Sequence, residues 1–448
     1  MQRTQKQRRT APGQGRPGVG RSAVQRRRTG RRTVLIAAAS ALGMTATLAG
    51  CGGSTGSGDV TLRLVAADYG DSKANSSQKY WDELVKAYEA GHPGTKVEVT
   101  VYPWTDVDRK VKEMVARGDA PDMAQIGAYA DYADKGELYK AEEVLSIPVQ
   151  ADFVAQLTDA GKMNRVQYGM PFAASTRLLF FNKKLFAAAG LSAPTTWSEL
   201  AADAQALKAR GVKIPYALPL GPEEAQAETM QWLLSGGDGY TDDVGTYSLD
   251  SAQNVATLTW LKDDLVGKGL TGPVAPAKLN RADAFAAFAR GEVGMLNGHP
   301  TLMKMAADKG VKFGMVPMPG VSGKSRATMG VADWMMAFKK NGHREQIGTF
   351  LDYVYSEKNV LAFSHEYDLL PVTTSASEAM AADSGNADLT PFLDELPSSQ
   401  LYPVGKTSWA AVSADIKKQI GKAVSPDGSP AGTLASLQQR ATTMDSAG

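Results

Sequence analysis

The sequence has a single cysteine, Cys51, in 448 residues, so no disulfide can form within the chain. Histidine is almost as scarce. His92, His299, His343 and His365 are widely scattered and form no ligand pair at helical spacing, so no structural metal site is expected. No Gly-x-Ser-x-Gly elbow occurs. Gly323-Lys324-Ser325 has the ending of a phosphate loop. The required earlier glycine is Met318, however, and the setting is a Pro-Gly-rich turn, so nucleotide binding is not expected. The uncharged, mostly apolar run 34–48 is too short to span a bilayer comfortably. There is no internal repeat, and no long low-complexity segment after residue 59. Carboxylates are abundant, but sequence alone shows no pair straddling a glycosidic bond.

What is present points outward from the cytoplasm. The formal charge of +2 misleads, because residues 1–32 hold eleven basic residues and no acidic ones. Cleavage before Cys51 leaves 49 − 11 = 38 basic against 47 acidic residues, a net of −9. A basic protein seeking nucleic acid is therefore the wrong class. Residues 1–50 read as a signal peptide: a basic segment, then the short apolar run 34–48. Arg31-Arg32-Thr33-Val34-Leu35 resembles a twin-arginine export motif, and a plain basic region for the general secretion route is the other reading. Leu48-Ala49-Gly50-Cys51 resembles a lipobox, in which small residues precede a cysteine that takes a diacylglyceryl group and fatty acyl chains such as palmitate. Residues 51–59, rich in glycine and serine, read as a flexible tether. More than one lipid chain gives stable anchoring, so this is expected to be a membrane-anchored lipoprotein on the extracytoplasmic face.

The length exceeds one ordinary domain and suits two lobes. Strands at 60–65, 97–101 and 123–126 alternate with helices at 78–90 and from 105 to 118. That is β-α-β-α-β, which predicts a mostly parallel sheet with helices on its faces. The chain is organised around the stretch 170–207. It reads as a loop, a buried strand at 177–181, a short helical turn stopped at Gly190, and a helix opened by a Thr196/Glu199 capping box. Further helices are expected at 222–234, 252–266, 282–290, 345–355, 357–367, 409–424 and 431–443. Strands are expected at 293–296, 313–316 and around Trp334.

Four blocks resemble carbohydrate-type solute-binding proteins of ABC importers, of the maltose- and multiple-sugar-binding kind. They are Phe181-Asn182-Lys183 with Leu185-Phe186, Gly190-Leu191, Pro194 and Thr196-Trp197-x-Glu199-Leu200; Ala120-Pro121-Asp122; Ala286-Ala287-Phe288 with Gly291, Met295 and Asn297-Gly298; and Pro317-Met318-Pro319-Gly320. They occur in the family's order across nearly all of the chain after the tether. The resemblance implies an α/β, two-lobe, periplasmic-binding-protein-like fold with a hinge and an interlobe cleft. It implies lobe 1 at 60–172 plus 317–355, and lobe 2 at 173–316 plus 356–448. It also implies a sugar or oligosaccharide as ligand, delivered to permease subunits by a monomer without a cofactor and without catalysis.

Sugar recognition needs flat aromatic faces for the C–H side of the ring and directional polar groups for its hydroxyls. Loops at strand ends supply both. The candidates are Tyr69 and Asp71 after the first strand, Tyr129 and Asp131 after the third, Ser175 and Arg177 at the entrance of the strand at 177–181, Trp232, Asn297 and Trp334. Thr176, Trp104 and His299 are further candidates, whereas Trp81 and Trp197 read as core. A non-sugar solute (a glycerol-phosphate or a polyamine) and a carbohydrate-active enzyme are the alternatives.

Overall fold

The computed structural model describes residues 59–70, 73–325 and 327–446. The leader, most of the tether, Cys51 and Asp71 lie outside these residues. Strand β1 (Val60–Asp68) pairs in parallel with β2 (Thr95–Pro103) and β3 (Met123–Ile126). The helix Ser77–Gly91 between β1 and β2 buries Trp81, Leu84, Val85 and Tyr88. This i, i+3, i+4, i+7 spacing lays one apolar stripe on the sheet. A short ribbon, β4 (Lys162–Met163) with β5 (Val166–Gln167), leads to β6 (Met170–Thr176).

β6 corrects the expected loop at the head of 170–207. Its Pro-Phe-Ala-Ala-Ser-Thr composition has no alternation, because nearly every position is buried. Its partner is β11 (Gly330–Ala337), far along the chain, which runs antiparallel to both β6 and β3. The first sheet thus has the order β2-β1-β3-β11-β6.

The chain leaves β6 and enters β7 (Leu178–Asn182) after a single residue, Arg177. With β8 (Ile214–Tyr216), β9 (Val293–Gly298) and β10 (Phe313–Val316), β7 forms the second sheet, ordered β10-β7-β9-β8. Asn182 caps the following helix by accepting from Lys184 and Leu185 N–H, and Gly190 ends that helix at φ 69°. The Thr196/Glu199 capping box opens the helix Trp197–Ala209. The helix expected over 252–266 is α-helical at Ala252–Trp260 and continues as a π-helical turn, Leu261–Val266.

The tail divides between the two sheets, unlike the expected placement of all of 356–448 with the second lobe. Phe363 lies edge-on to Tyr69 at 5.1 Å and to Tyr80 at 5.0 Å. Leu370 bridges to Ala174, and Thr373 to Phe153. These contacts put 357–382 on the first sheet's side. From Trp409 onward, Val412, Ile416, Ile420, Leu434 and Leu437 join the core of the second sheet.

Among the described residues, three segments therefore cross between the sheets: Arg177, 317–329 apart from 326, and 397–408. They lie side by side. Thr328 Oγ1 donates to Arg177 C=O at 2.8 Å, Gln400 N–H donates to Thr328 C=O, and Gly330 N–H donates to Gln400 C=O. Gln231 Oε1, from the helix Ala225–Gly236, accepts from Met329 N–H at 3.0 Å and shares the single Thr328 hydroxyl hydrogen with Arg177 C=O.

Candidate functional site

The parallel pairing of β1, β2 and β3 brings their C-terminal ends to one edge of the first sheet. The antiparallel register places the start of β11 and the end of β6 at the same edge. Tyr69, Trp104, Gly127, Ser175, Val331 and Asp333 stand there. Each keeps part of its surface accessible. Across the crossing segments, Leu178 pairs with Gly298, so the end of β9 faces this edge, with Asn297 and His299. Loops beyond strand ends on rigid sheets are where an α/β protein presents ligand-binding groups.

On the first-sheet side the Tyr69 hydroxyl donates to Asp333 Oδ2 at 2.7 Å. The Tyr69 ring stands edge-on to Trp104 at 5.3 Å. Burial pushes the Asp333 carboxyl up to about 7, and the nearby Asp108 adds to the rise, against the Tyr69 hydrogen bond. Asp333 thus retains accessible surface while sitting deep enough for desolvation to dominate, as on the floor of a recess.

On the second-sheet side Arg177 is buried and pairs with Glu224 at 2.9 Å. Arg281 pairs with Glu223 at 2.8 Å and also with Glu224. Glu228 is buried, and one of its oxygens accepts from Trp232 Nε1 at 2.9 Å, Asn297 Nδ2 at 3.0 Å and Tyr216 OH at 3.3 Å. Burial still outweighs these donors and Arg177, holding the Glu228 carboxyl at about 7. His299 lies 5.0 Å from the Phe285 ring. Burial, with Arg177 and Arg281, keeps its pKa well below the usual value, so it is a neutral imidazole with one donor and one acceptor.

A cavity of about 270 Å³ opens between the helix Val107–Ala116 with the following 128–135 segment and the third crossing at 404–410. Trp409, Tyr132 and Val404 give it an apolar lining, and Asp108, Asp131 and Lys112 give it charge. Tyr402, on the same crossing, stacks on Trp409 with ring centres 5.0 Å apart.

The structure sorts the expected site residues. Tyr69, Ser175 and Asp131 are accessible at the cleft or its cavity. Arg177 is there too, but committed to its ion pair, and Asn297 is buried as a donor to Glu228. Thr176 is buried and donates to Phe392 C=O. Trp232, Trp334 and Tyr129 are corrections: each is 0% exposed. Tyr129 shares its hydroxyl hydrogen between the Ala160 and Lys162 carbonyls and packs edge-on to Trp334 at 5.4 Å. A side chain with no accessible surface offers a solute no face. Trp81 and Trp197 are buried as expected.

Asp333, Gln125, Glu223, Glu224, Arg281 and Tyr402 were not legible as site residues. Asp333 carried a signal, an acid within the apolar strand Gly330–Ala337, where an unpaired carboxylate has no packing reason to be.

The raised Asp333 carboxyl has a thermodynamic consequence. The folded state holds this proton more tightly than the unfolded chain does. Its stabilising contribution is therefore complete below the unfolded value near 3.8 and is lost as pH rises through about 7. One pK unit is worth about 1.4 kcal/mol, and solvent at a half-buried group discounts the total. Asp333→Asn should therefore gain on the order of 2 kcal/mol relative to wild type between pH 4.5 and pH 8, read by denaturant titration at both. An equal offset at both pH values would contradict the buried-carboxylate assignment.

Residues 74–360 match the family model described as bacterial extracellular solute-binding protein. A binding protein of Brucella abortus is 27% identical over 350 residues, covering 77% of this chain and 83% of that one. The multiple sugar-binding protein of Streptococcus mutans is 24% identical over 308 residues, 64% of this chain and 70% of that one. The crystal structure of the cyclic alpha-maltosyl-1,6-maltose binding protein from Arthrobacter globiformis superposes with a TM-score of 0.73 at 22% identity. It covers 87% of this chain and 100% of the other.

Proposed function

Because the chain belongs to the bacterial extracellular solute-binding protein family, we propose that it captures a sugar or oligosaccharide in the interlobe cleft and delivers it to the permease of an ABC importer. The observation that carries this reading is the cleft itself. Two sheet edges face each other, joined by three crossing segments that hydrogen-bond side by side, and between them lie aromatic faces and polar groups of both donor and acceptor kind. Tyr69, Trp104 and Trp409 supply faces for C–H surfaces, while Asp333, neutral His299 and Ser175 supply partners for hydroxyls.

Few, adjacent crossings let the lobes rotate as bodies, so closure around Arg177, 328–330 and 399–401 is the functional motion. In this reading the first lobe comprises 60–176 and 330–396, and the second 178–316 and 409–446. The closed form would present the permease with a surface the open form lacks, which couples occupancy to transport. The lipobox-like Leu48-Ala49-Gly50-Cys51 supports a lipid anchor at Cys51 on the extracytoplasmic face, with the glycine-serine tether as the leash. The chain acts as a monomer and breaks no bond.

A thermal-shift screen of the unit Ser57–Gly448 tests this reading. The panel is maltose, maltotriose, cellobiose, spermidine and sn-glycerol 3-phosphate. A solute that binds only the folded state at a hundred times its Kd stabilises by about 2.7 kcal/mol. A rise with a saccharide that is recovered unchanged is the expected result. A rise with glycerol phosphate or spermidine alone would discard the carbohydrate assignment.

A further inference from the structure

The hydrogen bonds on the cleft floor fix the direction of every proton in them. A backbone N–H can only donate, and Ala67 N–H donates to Gln125 Oε1 at 3.0 Å. That contact assigns the amide: its oxygen faces β1, so its NH2 faces Tyr69, to whose hydroxyl oxygen it donates at 2.8 Å. The Tyr69 hydrogen is then directed to Asp333 Oδ2 at 2.7 Å. Among the described residues, Tyr69 is the hydrogen-bonding partner that acts on this carboxylate. Among the described residues, no hydrogen bond is given to the second oxygen of Asp333.

The backbone presents Asp333 in a particular way. The register of β11 against β6 shifts between Asp333 and Trp334. The extra residue is Phe172 of β6, and β11 itself runs on without an insertion, so the ordinary alternation of the strand turns Val331 and Asp333 to one face and Trp334 to the other. Asp333 is half-buried at the cleft edge, whereas Trp334 is fully buried on the other face. Among the described residues, the titratable groups around the relay are Tyr69 itself, Asp108 from the helix Val107–Ala116, Tyr355 after the helix Arg344–Val354, and Tyr367 from the helix Glu357–Tyr367. Among the described residues, no cation is one of the charges acting on Asp333.

We propose that Asp333 is the specificity-determining acceptor of the cleft, and that Gln125, acting through Tyr69, is the residue that positions it. This rests on the reading of the cleft as the solute site. A carboxylate with one oxygen engaged, and no neutralising cation among the described residues, accepts a hydroxyl or N–H hydrogen and repels an anion. The solute class is therefore a polyol or sugar with a free hydroxyl at this point, not a phosphate ester or a uronate. Gln125 touches no solute in this arrangement. It occupies the hydroxyl oxygen of Tyr69 as an acceptor, which leaves the phenol hydrogen nowhere to go but Asp333.

The test has two readouts in the full chain. First, Asp333 is followed by carboxyl carbon NMR without solute, in wild type, Gln125→Glu and Tyr69→Phe. Both variants remove the hydrogen given to Asp333, one by drawing it away and one by deleting it, so both should raise the midpoint by about one pH unit. Tyr69→Phe introduces no buried charge, and it keeps the test open if Gln125→Glu folds poorly. An unmoved midpoint in Tyr69→Phe, or in a folded Gln125→Glu, would overturn the relay. Second, affinity for the saccharides of the panel and for sn-glycerol 3-phosphate is measured across pH. Saccharide affinity should drop about tenfold in Asp333→Ala, and its pH midpoint should move up in step with the NMR midpoint in Gln125→Glu. A uniform loss at every pH would reduce Gln125 to a packing residue. A wild type that binds glycerol phosphate more tightly than any saccharide would overturn the acceptor role, while leaving the NMR result standing.

Discussion

Trp334→Ala should destabilise the protein by about 3–5 kcal/mol, the loss usual for a large ring removed from a packed core. Trp334 is 0% exposed, and its ring is enclosed on several sides. Tyr129 lies edge-on at 5.4 Å. Gly169 covers the pair so closely that a Cβ there would sit 2.7 Å from Tyr129 and 2.9 Å from Trp334. Such a site cannot collapse around a missing ring, so transfer and cavity terms add. The midpoint of denaturant unfolding should fall with the slope unchanged. Trp334→Phe serves as the graded control. It keeps most of the apolar volume and removes an indole N–H that has no hydrogen-bond partner among the described residues, so it should cost far less. The neighbouring Asp333→Ala should do the reverse, weakening solute binding without a comparable loss of stability. If Trp334→Ala were the variant that abolished binding in a protein of undiminished stability, the assignment of one residue to the core and the other to the cleft would be inverted.

The second large effect concerns Arg177. Its side chain is 6% exposed and pairs with Glu224, itself 24% exposed. Removing one member of a buried pair strands the other charge, and losses of about 3–5 kcal/mol follow when the pair is fully buried. Glu224 also holds Arg281, which softens the stranding, so Arg177→Met should lie near the bottom of that range at about 3 kcal/mol. The double variant Arg177→Met/Glu224→Gln should recover part of the loss, and the thermodynamic cycle reads the coupling directly. The deficit should also grow with pH. Arg177 opposes the burial that holds Glu228 at about 7. Without it the folded-state value climbs, and the stability lost as pH rises through that range becomes larger. His299 responds in the opposite sense: Arg177 helps keep it neutral, so its pKa should rise in the variant. A pH-independent deficit would mean that Arg177 does not act on the Glu228 cluster.

Arg177 also shows why the site was only partly legible. A lone arginine at the entrance of an apolar strand announced that it needed a partner. The partner, Glu224, is 47 residues away, before a helix whose pattern says nothing about where its first turn lands. The aromatics misled for a related reason. Trp334 lies in the right strand, where one position turns a side chain from cleft to core, whereas Trp232 sits on a helix and Tyr129 at a helix start, where packing against distant elements decides burial. Along β11, alternation puts Asp333 and Trp334 on opposite faces, but which face meets the cleft is set by the pairing with β3 and β6, and that is not written in the strand itself.

Many of the elements and their order could be read from the amino acids alone, though not β6, the β4–β5 ribbon or β8. Local rules sufficed for the stripe of Trp81, Leu84, Val85 and Tyr88, the capping box at Thr196 and Glu199, and the glycine stop at Gly190. The length suited two lobes, and the resemblance of the family blocks implied them. Folding in three dimensions settled the rest: the partners of β6, the return of 357–382 to the first sheet, and the meeting of Ala67, Gln125, Tyr69 and Asp333. The difference is one of range. Caps and helical stripes are settled by neighbours within a turn or two, whereas the Tyr69–Asp333 contact joins residues 264 positions apart. It exists because distant strands align their ends at one sheet edge, and nothing local to either residue specifies that.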